Sequence, residues 1–154
     1  MKKAYALQAV LVAAVFAADR AAKIWALERL KDNQPIEVFR WFRFSFVENT
    51  GAAFGMLRDS NLFFIFLTIA LIAVLLFFKP KIEAAGQLSS LAILLVLGGA
   101  AGNLFDRFCY GAVIDFLDFR VWPVFNVADS CITVGGVLIA VDSMRGPAQA
   151  AAEK

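Results

Sequence analysis

The sequence predicts an all-α membrane protein with four transmembrane helices and a small β-rich region between the first two. Three observations predict it. The 154 residues are 61% hydrophobic and only 18% charged, well to the apolar side of a typical soluble domain. Four apolar runs punctuate the chain, at 4–18, 62–78, 88–105 and 125–141. Between the first two lies a stretch in which aromatic and polar residues alternate. The length suits one domain covering 1–154.

The first run continues through DRAAKIWAL, so a helix is expected over about 4–27. MKK followed by an apolar stretch and VFAA also resembles a cleavable signal peptide. The amphipathic continuation through Lys23 and Trp25 favours a retained helix. The second, third and fourth helices are expected at about 61–79, 87–106 and 124–144. Runs of this length rise about 25–30 Å as helices, enough to cross a bilayer core. Helix is required there because a backbone in lipid must satisfy its own hydrogen bonds. The second run is apolar all round and reads as a lipid-facing wall. The third carries GGAAGN, whose Gly98 and Gly102 lie one turn apart and admit a close neighbour.

The segment at about 35–58 contains PIEVFRWFRFSFVENTGAAFG. Phe42, Phe44 and Phe46 fall on one face, and Arg43 and Ser45 on the other, as in a strand. Gly51 and Gly55 break the pattern. The expectation is a short curved sheet at the membrane surface, its Phe and Trp at headgroup level; an aromatic anchoring loop is the alternative. The short KPKIEAAGQ loop, 79–87, is basic. With four crossings it shares a side with both chain ends, which the positive-inside tendency makes cytoplasmic. Arg29, Lys31, Arg40, Arg43 and Arg58 on the other side oppose that bias.

Composition removes whole classes of chemistry. The chain has no His, which excludes Ser-His-Asp and Cys-His catalysis and His-containing zinc sites. Two cysteines, Cys109 and Cys131, cannot make a four-thiolate site and read as buried small hydrophobes. A net charge of +2 without a basic cluster gives no reason to expect nucleic acid. Acid–base work in such a chain falls to carboxylates, with Lys or Tyr in support.

The polar residues bordering the runs converge. Asp19 and Lys23 stand at i and i+4 on the first helix and can pair. Asn49 lies in ENTGAAFG; Asn103, Asp106 and Arg107 end the third run; Asp115 follows in VIDF. Asn126 and Asp129, three apart in FNVADS, open the fourth run and share a helical face. In the four-span arrangement all of these meet at the same, non-cytoplasmic side. Two neighbouring carboxylates cannot both ionise comfortably, so a close pair shares a proton and can activate water. Asp115 and Asp129 are the natural pair, although composition alone does not choose them over Asp106 or Asp118.

In order, DRAAK, ENTGAAFG, GNLFDR, VIDF and FNVADS resemble the lipoprotein signal peptidase (signal peptidase II) family, whose motifs run from Asp19 to Ser130 here. Each motif alone is weak; the ordered set is specific. The resemblance implies a multi-pass aspartyl endopeptidase of the bacterial inner membrane, with both termini cytoplasmic and its chemistry facing the periplasm. It implies cleavage of diacylglyceryl-modified prolipoproteins just before the lipidated Cys. By motif, Asp115 and Asp129 become the catalytic dyad. Asn49, Gly51, Asn103, Arg107, Asn126, Asp19 and Lys23 become residues lining the site. No metal or cofactor is implied; the expected partners are prolipoprotein substrate, membrane lipid and the inhibitor globomycin, and a monomer is expected. The β region would act as a periplasmic cradle, with Phe42, Phe44 and Phe46 helping to clamp the substrate. Arg107 would either tune one Asp or cap the third helix.

Two rivals come from other classes. A small transporter or proton channel also needs intramembrane carboxylates, but it needs them through the full thickness, and the second run is bare. A non-enzymatic scaffold would use the polar set only to pack helices.

Overall fold

The structure, a computed structural model, describes residues 2–51 and 60–144. Gly55, Arg58 and Arg145, together with the end of the expected β region, lie outside the described residues. Among those described, the order is α1 (Lys2–Leu30), β1 (Ile36–Phe39), β2 (Phe42–Asn49), α2 (Asn61–Ala85), α3 (Gln87–Tyr110), β3 (Val113–Asp118) and α4 (Val127–Met144).

Helix α3 is the axis of the molecule and packs against α1, α2 and α4. Its small residues make this possible. A Cβ on Gly99 would stand 2.5 Å from the Ala128 carbonyl oxygen of α4, and one on Gly102 would stand 2.5 Å from Asp19 Oδ2 of α1. Ile93, Leu94 and Leu97 of α3 bury one cluster against Leu11, Val12, Ile72 and Leu75. Helices α2, α3 and α4 are each long and apolar enough to cross a membrane. Within α2 only Ile65 is buried; Ile72 and Leu75 are half-buried against α3, and most of the other side chains are turned outward.

The expected loop at 79–87 does not form. Helix α2 runs through Pro80 to Ala85, and Gly86 alone separates it from α3. Lys79 pairs with Glu83 at 2.6 Å one turn on, and Gln8 of α1 bonds both, at 2.9 and 2.7 Å. These partners favour the helical continuation and offset the donor that proline removes. Gln8, the interruption in the first apolar run, is thereby accounted for. The remaining boundaries move outward at α1 and at the end of α3, and α4 begins three residues later than the sequence suggests.

The β region is larger than expected in one respect. A third strand, β3, arrives from between α3 and α4 and gives an antiparallel sheet of order β1-β2-β3. Tyr110 ends α3, and Gly111 turns the chain with φ 74°, a conformation that favours glycine. The sheet rests on the last turns of α1. Ala26 and Leu30 bury against Ile114 and Phe116, and Trp25 meets the Phe44 ring edge-on at 5.1 Å. Phe44 and Phe46, two members of the expected aromatic clamp, are half-buried and pack against this cluster.

Candidate active site

The geometry begins with a one-residue irregularity. Strand β2 pairs Phe44 with Leu117 but Val47 with Asp115, so three steps on β2 match two on β3. This bulge shifts the phase of β2. Without it Asn49 would point to the opposite face from Asp115. With it the two share a face, and Asn49 Nδ2 donates to Asp115 Oδ2 at 2.9 Å. Asn49 Oδ1 in turn accepts from the Gly51 backbone N–H at 3.0 Å.

The second carboxylate is placed by a helix start. Asn126 lies just ahead of α4, as its N-cap. Its Oδ1 accepts from the Asp129 N–H at 2.9 Å, while Asp129 Oδ2 accepts from the Asn126 N–H at 3.3 Å. This is a reciprocal capping box. Asn126 Nδ2 then donates to Asp115 Oδ1 at 2.6 Å and to Asn103 Oδ1 at 3.2 Å. Asn103 Nδ2 donates to Asp129 Oδ1 at 2.7 Å. One buried amide therefore caps α4, holds Asp115 and meets the amide that holds Asp129.

Asp115 and Asp129 line one cavity of about 610 Å³, together with Asn49, Gly51 and Arg107. Burial and the neighbouring Asp129 carboxylate push the Asp115 carboxyl up to about 7, against the lowering pull of Asn49, Asn126 and Lys23. Arg107 reaches the wall from α3, its Cζ 5.1 Å from the centre of the Phe64 ring and its Nη2 3.5 Å from the Gly51 carbonyl oxygen. The rest of the wall is mostly apolar and comes from Phe64, from Phe119 and Trp122–Phe125, and from Ser130, Thr133 and Val134 of α4. Of the segment 119–125, residues 119–123 lie outside every element the sequence leads one to expect, and Val124 and Phe125 were expected inside the fourth helix. Its signal was FRVWPVF, an aromatic stretch around a proline directly between the two aspartate motifs.

Asp19, Lys23, Asn103 and Asn126 are buried behind this wall and do not line it. Lys23 Nζ lies 3.0 Å from Asp19 Oδ2 and 2.7 Å from Asp106 Oδ2, and donates to Asn103 Oδ1 at 2.9 Å. The two aspartates that composition left open as alternatives are engaged elsewhere. Asp106 belongs to this ion cluster. Asp118 accepts from Arg43 Nε at 2.7 Å, from Ser45 Oγ at 3.2 Å and from the Arg120 N–H at 2.7 Å. Burial alone would raise the Asp118 carboxyl, but these three donors, Arg43 foremost, hold it below its usual range. Farther along α3, the buried residues Ala92, Ile93, Leu94, Val96 and Leu97 are apolar, and the buried polar Ser89 follows only in its first turn.

The chain is similar in sequence and in fold to known proteins. Residues 11–145 match the family described as signal peptidase (SPase) II. A lipoprotein signal peptidase of Caldanaerobacter subterraneus is 42% identical over 132 residues, covering 84% of this chain and 90% of the relative. One from Halothermothrix orenii is 39% identical over 131 residues, with the same coverage. A solved bacterial membrane enzyme superposes with a TM-score of 0.81 at 30% identity, covering 91% of this chain and 88% of its own.

Proposed function

Because the chain belongs to the signal peptidase II family and is a membrane-bound aspartic peptidase that removes signal peptides from prolipoproteins, we propose that Asp115 and Asp129 are its catalytic dyad. The observation that carries this reading is their convergence. Two carboxylates from a strand and a helix open onto one cavity, and Asn126 links both. The ionised member of the pair takes a proton from water, and the resulting hydroxide oxygen adds to the scissile carbonyl carbon. The protonated member hydrogen-bonds the carbonyl oxygen as it gains charge. Collapse breaks the C–N bond, and the proton passes to the leaving amine. Arg107 and Asn49, both on the wall, orient the substrate backbone.

The bond cut is the one before a Cys that carries diacylglycerol. An apolar wall of Phe64, Phe119, Trp122, Phe125 and Val134 suits a lipid-modified residue arriving sideways from the bilayer. Helix α1 is the fourth span. Its 29 residues rise about 43 Å, and Asp19 and Lys23 are masked from lipid by their burial. The whole chain then forms one domain in the bacterial inner membrane, with both termini cytoplasmic, the dyad facing the periplasm, and globomycin competing for the same cavity. The protein acts as a monomer.

The test is cleavage of a diacylglyceryl prolipoprotein by purified enzyme in detergent. Asp115→Asn and Asp129→Asn preserve size but cannot serve as base. Both are expected to fold and to lose turnover by about a thousandfold or more. Appreciable turnover by either overturns the dyad.

A further inference from the structure

Behind the dyad stands a second pair of carboxylates. Asp19 and Asp106 are fully buried, as is Lys23 between them. Lys23 contacts both, and Arg20 contacts both as well, with Nη2 2.6 Å from Asp106 Oδ1 and 3.3 Å from Asp19 Oδ2. Two anions and two cations balance in charge. Each carboxylate has one further partner, and the two partners are equivalent. Asp106 Oδ2 accepts the backbone N–H of Ile114 at 3.1 Å, the residue immediately before Asp115. Asp19 Oδ1 accepts the backbone N–H of Ala128 at 2.9 Å, the residue immediately before Asp129.

We infer that Asp19 and Asp106, bridged by Lys23 and Arg20, set the spacing of the catalytic pair by gripping the backbone next to each of its members. A carboxylate accepting a backbone N–H makes a charge-assisted bond, stronger and more directional than a neutral one. Two such bonds, cross-linked by two cations, tie β3 of Asp115 and α4 of Asp129 to the same rigid helices, α1 and α3. Gly102 leaves the space that Asp19 needs, since a Cβ there would lie 2.5 Å from its Oδ2. None of the four ionic residues lines the cavity, so they are positioning residues: they act through the dyad and do not touch substrate. Arg20 and Asp106 thereby gain a role in the reaction.

The inference rests on the dyad reading, and the experiment separates the two. Thermal unfolding, kcat and KM are measured for Asp106→Ala, Asp106→Asn, Arg20→Gln, Asp115→Asn and Asp129→Asn on diacylglyceryl prolipoprotein, with rates expressed per folded molecule. A misplacement near 1 Å costs about 100-fold in rate. Asp106→Ala, which loses the acceptor for Ile114, is expected to lose about 100-fold in kcat with KM within about threefold. Asp106→Asn retains an oxygen for that N–H and is expected to lose roughly tenfold. A purely structural role would lower the folded fraction and leave kcat per folded molecule unchanged. Folded Asp106→Ala with kcat within about twofold of wild type, or with its loss wholly in KM, overturns the inference. If Asp106→Ala does not fold, Arg20→Gln decides, with several-fold loss of kcat supporting the inference and unchanged kcat overturning it. If Asp115→Asn or Asp129→Asn retains turnover, the dyad reading itself has failed, whatever the Asp106 variants do.

Discussion

At the scale of single residues, Asn126 carries the most. Its side chain caps α4, holds Asp115 and contacts Asn103, all from a position with no exposed surface. Asn126→Ala removes an N-cap, worth about 1 kcal/mol, and leaves buried acceptors unpaired at about 1–3 kcal/mol. The expected loss is about 2–4 kcal/mol of stability and most of the turnover, read by thermal unfolding and by cleavage. Asp115 sets a pH dependence of definite sign. Its carboxyl stands at about 7 in the folded protein, against about 4 when unfolded. Between those values the folded chain holds a proton that the unfolded chain has released. The stability that this group contributes therefore declines as pH rises through that window, and levels off above it. The unfolding temperature of wild type should fall more steeply from pH 5 to 7.5 than that of Asp115→Asn. The alkaline limb of the rate profile belongs to the pair and should lie near pH 7. Asn49→Ala removes a bond that favours the ionised form, so that limb should move to higher pH in the variant that keeps activity.

At the scale of elements, two small features position large ones. The β2 bulge brings Asn49 to the face of Asp115. The glycines of α3 let α1 and α4 approach until their polar groups meet. Gly99→Ala places a methyl group 2.5 Å from the Ala128 carbonyl, so α4 must shift, at about 1–3 kcal/mol for overpacking. Because Ala128 precedes Asp129, turnover should fall along with stability. Gly136→Ala is the control: a Cβ there meets nothing within 4 Å, and the substitution should leave turnover intact with the helix unchanged or slightly stabilised. Unfolding and cleavage measured side by side for the two variants check this.

At the scale of the whole molecule, polar groups gather at both ends of an apolar bundle and do different work. At the end away from Asp115 and Asp129, Asp142 of α4 accepts the Ser89 N–H at 3.2 Å and makes a close hydrogen bond with Ser89 Oγ. It thus caps α3 from a neighbouring helix. Thirteen residues along α4 separate it from Asp129, about 20 Å. Asp142→Asn should therefore lower the unfolding temperature while kcat stays within about twofold. A large loss of kcat in that variant would mean that the two ends are coupled.

Hydrophobic runs determine helices locally, because a backbone in lipid has no other way to satisfy its bonds; so 61–79 and 87–106 were legible as helices from residue type alone. The motifs likewise singled out Asp115, Asp129 and Asn49, which line one cavity in the folded chain. Helix 79–85 was not legible, because Pro80 argues locally for a break while Gln8, on another helix, supplies the countervailing bonds. Strand β3 and the wall at 119–125 were hidden for the same reason: a strand acquires its partners, and a wall its cavity, only from residues distant in sequence. Residue type alone did not separate Asp115 and Asp129 from Asp106 and Asp118; the family motifs did, and the physical reason that this pair faces the cavity belongs to tertiary structure. All four are carboxylates at similar positions in the chain. Only the folded arrangement gives Asp106 to Lys23 and Arg20, and Asp118 to Arg43, leaving the other two open to the cavity.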